Sequence, residues 1–175
     1  MKITFDLKSS DFLTFQLYAS SQSESIQQKR RRGRIFLSLG ALLVSLFFYI
    51  GNSLLLSVFF LLFAVATYVF YPRYFKKRYY QHYQKYIRDH YEARLNVEQE
   101  VEINKDHLLL KDKTGEAKIL LKEVDEIIET SEHFFIKIST GVSLILPKDR
   151  VPVEEVRTAL ESLELTIRDH TDWQW

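Results

Sequence analysis

The sequence predicts an α+β chain: a two-helix transmembrane hairpin joined to an antiparallel sheet that a terminal amphipathic helix covers. Three observations predict it. No charged residue occurs from Ile35 to Tyr71, a run of 37 positions. Basic residues crowd both ends of that run. From Asn96 onward the apolar residues recur with the period of two that marks strands, until a last stripe returns to helical spacing.

As one straight helix the run would measure about 55 Å, at ~1.5 Å per residue. A bilayer core is only about 30 Å thick and takes ~20 residues. The run must therefore be broken, and Gly51-Asn52-Ser53 is its one polar, turn-prone spot. Two spans result, 35–50 and 54–71. The first is short, and Arg34 is expected to snorkel and complete it. A cleaved signal peptide does not fit, because 34 residues precede the run and no small-x-small cleavage pattern follows it. A buried soluble hairpin is disfavoured by apolar stretches this long.

The flanks set the orientation. Lys29, Arg30, Arg31, Arg32 and Arg34 precede the run as a basic flank, 29–34; Arg73, Lys76, Lys77 and Arg78 follow it. Lysine- and arginine-rich flanks stay on the cytoplasmic side. A single span would strand one cluster outside, whereas a hairpin keeps both inside, so both termini are expected to be cytoplasmic. Ser38, Ala41 and Ser45 line one side of the first span, and Ser57 and Ala64 lie seven apart on the second. Small residues let helices approach closely. Packing of the hairpin on itself is the preferred reading over a homodimer seam. No ionisable group lies inside the run, which argues against a pump or channel formed by this chain alone.

Residues 72–91 read as a basic-aromatic juxtamembrane helix. Tyr71, Tyr74 and Phe75 fall where an interfacial aromatic belt is expected. Phe75, Tyr79, Tyr83 and Tyr86 recur at four, four and three, and Ile87 extends the stripe. Aromatics interleaved with bases also suit stacking on single-stranded nucleic acid, but a helix leaving the membrane is the simpler account. Net charge is +1, too balanced for a whole-protein nucleic-acid binder. Residues 92–132 hold twelve acids against six bases. Positive charge thus hugs the membrane, where each cation attracts anionic inner-leaflet lipid by ~1 kcal/mol.

The carboxy-terminal domain is placed at 92–175. Val97, Val101 and Ile103 alternate with glutamates in a first strand. His107 to Lys111 form a second. After the turn Asp112-Lys113-Thr114-Gly115 comes a third, with Ala117, Ile119 and Leu121 on one face. Val124 to Thr130 form a fourth, and Phe134, Ile136 and Ile138 a fifth. A sixth follows Thr140-Gly141, with Val142, Leu144 and Leu146 inward. Pro152 then suits a first helical turn, Glu154 and Glu155 complement its dipole, and Val153, Val156, Leu160 and Leu163 form its apolar stripe. A sheet plus one terminal helix is the layout of a pleckstrin-homology-like barrel. The first 28 residues read as a strand (Ile3, Phe5, Leu7) and a helix from Asp11 to about Ala19, capped by Ser9 or Ser10. They are too few to bury Phe12, Leu13, Phe15 and Leu17 alone, and are expected to join the cytoplasmic domain.

The stretch VEINKDHLLLKDKTGEAKILLKEVDEIIETSEHFFIKISTGVSLILPKDRV, from Val101 to Val151, followed by an amphipathic helix, resembles the carboxy-terminal domain of the YcxB-like bacterial membrane proteins. The alternation at Val124 to Glu129, the pair Phe134-Phe135 and the strand end Ile145-Leu146-Pro147-Lys148 carry most of the likeness. Asp149 and Val151 depart from it, standing where a basic residue and an aromatic are usual. The hairpin and the amino-terminal strand and helix also fit. The resemblance implies a bacterial cell-membrane protein of pleckstrin-homology-like fold and brings no assigned chemistry.

Nothing in the chain points to catalysis. There is no cysteine, hence no disulfide or thiolate chemistry. The five histidines make no HxxxH or HExxH pattern, adjacent acids point apart, and no Gly-x-Ser-x-Gly elbow or glycine-rich phosphate loop occurs. No enzyme activity, cofactor or metal is expected. The expected function is a membrane-tethered interaction module, with the anionic inner leaflet and a protein as partners and no nucleic acid. The alternative is an accessory or regulatory subunit of a larger transporter or envelope complex, acting through its hairpin.

Overall fold

The computed structural model describes residues 1–92, 95–113, 115–163 and 165–175. The chain divides into two compact units: Met1–Gln16 with Gln84–Gln174, and Leu17–Tyr83 with Trp175. The architecture is α+β, with two four-stranded sheets and two long apolar helices.

The first unit holds both sheets. One comprises β1 (Lys2–Asp6), β2 (Glu98–Ile103), β3 (His107–Asp112) and β4 (Gly115–Leu120), antiparallel in that order. The other comprises β5 (Val124–Thr130), β6 (His133–Ile138), β7 (Ser143–Pro147) and β8 (Ile167–His170), in the order β7-β6-β5-β8. A short 3-10 turn at Leu121–Glu123 links them.

Pairing follows the period of two. Ile3 lies opposite Val101, Val101 opposite Leu110, and Leu110 opposite Ala117. Ile103, Leu108 and Ile119 form the next such row. The other face of the first sheet is polar, with Glu100, Lys111 and Glu116 in register. Lys111 Nζ lies 2.7 Å from Glu116, and Lys2 Nζ lies 2.9 Å from Glu100. One face is apolar and one solvated, as expected for antiparallel strands.

The second sheet is buried on both faces, since Phe134, Phe135, Ile136 and Ile138 of β6 are all buried. Ile136 pairs with Ile127 and Leu144 on one face, and Phe135 with Ile128 and Ile145 on the other. The amino-terminal part of α1 (Ser9–Gln22) covers the Phe135 face, with Phe15 edge-on to Phe135 at 5.3 Å. On the Phe134 face, α4 (Val153–Glu161) buries Val156 and Leu160, and its Arg157 reaches Glu129. Burying an aromatic or branched side chain contributes ~1.5–3 kcal/mol each, so this sheet dominates the unit's stability.

Several expectations need correction. There is no closed barrel: the strands form two sheets. The terminal helix does not end the fold, because β8 follows it and lies parallel to β5, with Ile127 opposite Ile167. The sheets are therefore not wholly antiparallel. Val142 is exposed rather than inward, because β7 begins one residue later. Pro152 sits at the cap position just before α4, and α1 begins at Ser9 with no serine cap. Instead the Lys8 amide donates to Asp11 Oδ2 at 2.6 Å, satisfying a helix-start donor from inside the first turn. Thr114, part of the predicted turn after β3, lies outside the described residues.

The second unit is helical. α2 (Glu24–Ile50) and α3 (Leu54–Tyr91) are joined at the predicted turn. Asn52 takes the left-handed conformation, φ 56°, which asparagine tolerates better than most residues. Both helices outrun the apolar stretch. The basic flank 29–34 forms part of α2, and α3 continues through Pro72 into the aromatic segment. Pro72 has no amide hydrogen, so the Tyr68 carbonyl loses its usual helical donor there.

Candidate functional site

Two features of the second unit bear on function: its apolar surface and its charged end. Ile35 to Phe70 present an almost continuous apolar exterior, with Phe36, Phe47, Leu55 and Phe59 all exposed. Only 17% of the most apolar window of α2 and 11% of that of α3 is buried, whereas a soluble core helix is mostly buried. Polar contacts turn inward instead. Ser38, Ala41, Ser45, Ser57 and Ala64 are buried, and the Ser45 hydroxyl donates to the Ser57 carbonyl at 2.8 Å. The small residues thus line the contact between the two helices. Gly33 lies where a β-carbon would collide with the Tyr71 hydroxyl, so this end of the pair also closes tightly.

The basic residues singled out in the sequence gather on the two helices at this end. Lys29, Arg30, Arg31, Arg32 and Arg34 lie on α2; Arg73, Lys76, Lys77 and Arg78 lie on α3. Residues 17–83 contain a single acid, Glu24. Among the described residues none of these nine cations forms an ion pair. Two rest on rings: Arg34 over Tyr68 at 4.5 Å, and Arg73 over Phe70 at 5.8 Å. The Arg34 guanidinium thus lies over a ring near the end of the second apolar stretch.

The aromatic stripe divides. Tyr74 is exposed. Phe75 is buried and stacks on Tyr79 at 4.4 Å. Ser20 donates to the Tyr83 hydroxyl at 2.6 Å, tying the end of α1 to α3 within the same unit. Tyr71 lies 6.3 Å from Tyr74 and 6.2 Å from Phe75.

The first unit holds two features that sequence reasoning missed. One is a cleft of about 780 Å³, floored by Val101, Leu110 and Ile119 from one sheet and Ile138, Leu144 and Ile145 from the other. Glu100, Lys111, Asp112, Lys113 and Glu116 are among its charged lining residues. The second is a buried ionic cluster. His133 Nε2–H donates to Asp11 Oδ1 at 3.0 Å, and Arg150 donates to the same oxygen at 2.7 Å and to the Asp6 carbonyl at 2.6 Å. Burial by itself pushes the Asp11 carboxyl up. The hydrogen bonds from His133, Arg150 and the Lys8 amide, with the Arg150 charge, outweigh it and hold the group at about 2, against an ordinary 3.8. His133 Nδ1 is buried with no partner. Asp11 and His133 stand 122 positions apart, so no sequence motif marks the pair. A similar network joins Glu129 to Lys148 at 2.7 Å and to Arg157 at 2.5 Å. Burial raises the Glu129 pKa, and the bonds from Arg157 and Lys148 bring it below its ordinary value. These clusters join elements of the fold. Among the described residues no group of three or more His, Asp or Glu side chains is placed to hold a metal.

Residues 101–160 match the family model described as YcxB-like protein. The resemblance read from the sequence is therefore shown over that stretch, which runs from β2 to the last turn of α4. No curated protein and no solved structure matches the chain.

Proposed function

We propose that this chain is a multi-pass protein of a bacterial cell membrane, anchored by an α2–α3 hairpin and presenting its two-sheet unit to the cytoplasm as a pleckstrin-homology-like interaction module without catalytic activity. The observation that carries the reading is the outward apolar surface of α2 and α3, bounded at one end by nine cations. A soluble protein does not expose an apolar patch of this extent. The lysines and arginines favour the cytoplasmic side for that end and attraction to anionic lipid. The sandwich of a helix on each face of the second sheet, and the open cleft beside it, support an interaction module. Its partner is proposed to be a protein, and nucleic acid is not.

The absence of cysteine makes the test clean. Single cysteines at Asn52, near Met1 and near Asp172 are labelled in intact cells with a membrane-impermeant maleimide. Labelling at Asn52 alone is expected. Labelling of either terminus from outside overturns the hairpin.

A further inference from the structure

Arg34 makes an arrangement that a generic basic flank does not require. Its guanidinium lies 4.5 Å above the Tyr68 ring, on the neighbouring helix and inside the charge-free run. Its Nε is shielded from solvent and has no acceptor among the described residues. A guanidinium carries five N–H donors in a planar fork, and leaving a charged donor unsatisfied costs more than the ring contact returns. The second unit cannot supply the missing acceptor as a carboxylate, since its single acid is Glu24, ten residues before Arg34. An oxygen acceptor from outside the unit would satisfy the donor. An anionic group with two oxygens, present where polar and apolar surroundings meet, suits the fork and its charge.

We infer that Arg34, floored by Tyr68, is a binding site for the phosphodiester of an anionic glycerophospholipid. The fork geometry of arginine suits two oxygens of one phosphate. The Tyr68 ring holds the fork flat and excludes water from one side. The acyl chains of such a lipid run along the exposed apolar surface one turn away, where Leu37 follows Arg34 and Val65 precedes Tyr68 at helical spacing. Arg73, held over Phe70, adds a second cation at the same end of α3. Arg30 is half-buried like Arg34 but, among the described residues, stands over no ring, so it serves as a control for charge alone. The inference rests on the membrane hairpin proposed above.

The test uses the full chain, delipidated and returned to phosphatidylcholine nanodiscs with a few per cent phosphatidylglycerol. Bound phosphatidylglycerol is counted by native mass spectrometry after release. Arg34→Ala is expected to lower its retention at least tenfold, Arg34→Lys and Tyr68→Leu several-fold, and Arg30→Ala not measurably. Far-ultraviolet circular dichroism checks that each variant keeps its helices; Arg34→Lys keeps the charge and guards against a folding defect in the alanine variant. Equal retention by wild type and Arg34→Ala, in chains that remain in the membrane, overturns the lipid site and leaves the hairpin standing. An equal loss on Arg30→Ala overturns it in favour of diffuse charge. Displacement of the lipid by millimolar inorganic phosphate overturns it in favour of a free anion. Extraction of the wild-type chain from vesicles by alkaline carbonate is a separate readout: it overturns the hairpin, and the site with it.

Discussion

The two units treat charge in opposite ways. In the sheet unit the ionic side chains find partners within the fold: Asp11 holds His133 and Arg150, Glu129 holds Lys148 and Arg157, and Glu126 holds Lys137 and Arg168. In the helical unit nine cations face a single acid, and the apolar side chains point outward. The first unit is close to self-sufficient. On the reading proposed above, the second is completed by an environment that supplies both hydrocarbon and anions. The difference implies that the same kind of substitution, a change of one charge, acts through different causes in the two halves.

The largest effect is expected from removing the central carboxylate of the sheet unit. Asp11→Ala removes the buried carboxylate that Arg150 and His133 share, leaving Arg150 only the exposed Asp149 at 2.9 Å, and breaking a buried pair from one side costs about 3–5 kcal/mol. Hydrogen–deuterium exchange of the full chain should show faster exchange across β1, β6 and the start of α1. Unchanged protection of β6 would mean that the cluster contributes nothing to the junction. In the helical unit the matching experiment adds a charge. Leu62 is exposed near the middle of the second span, and Leu62→Arg should cost about 2.5–3.5 kcal/mol of insertion free energy. Its readout is the fraction of chain resistant to alkaline extraction. If that fraction does not fall, α3 does not cross lipid.

Much of this contrast was legible in the sequence, but unevenly. The six strands from Glu98 to Pro147 were readable because turn signals bound short segments that either alternate apolar and polar residues, as in β2 and β4, or run apolar, as in β6 and β7, and the hairpin turn because Gly51-Asn52-Ser53 interrupts an otherwise oily run. β8 was not readable: Ile167-Arg168-Asp169-His170 has one apolar residue and is held by parallel pairing to β5, about forty positions away. The helical state of the basic flank before the first span was not read, because hydropathy marks the apolar stretch, not the helix. Gln27 to Arg32 are good helix formers with nothing to stop them. The basic and aromatic residues of the flanks were identifiable by type, but not which of them would be held by rings. The Asp11–His133 contact depends on two elements separated by the whole hairpin, and the cleft on two sheets not closing; neither has a local pattern.

Acid separates the units next. The folded Asp11 carboxyl titrates at about 2 and an unfolded one at 3.8. A depressed folded value means that the contribution is fully present above about pH 4 and is lost as pH falls toward 2. At ~1.4 kcal/mol per pH unit of difference, this amounts to about 2 kcal/mol. Denaturant titrations followed by exchange in β6 should lose roughly that much between pH 5 and 2, and Asp11→Asn should flatten the profile while lowering its plateau. The spans carry no carboxylate, so α2 and α3 amides within them should show no matching change. A parallel loss there would mean that the two halves unfold together.

The smallest effect lies in the hairpin contact. The Ser45 hydroxyl donates to the Ser57 carbonyl at 2.8 Å and lies 3.3 Å from the Ser57 hydroxyl, both residues being buried between the helices. In water such a bond competes with solvent; in hydrocarbon it has fewer competitors, yet measured interhelical bonds average only ~0.6 kcal/mol because the separated helices find other partners. Ser45→Ala should therefore cost about that much, since it keeps the close approach while removing the donor. Ser45→Leu should cost more, because its volume forces the helices apart. Steric trapping or denaturant unfolding in bilayers can read both. If alanine and leucine have equal and negligible effects, the small residues face lipid or another protein rather than each other, and the hairpin is held together by its Gly33–Tyr71 end and its turn alone.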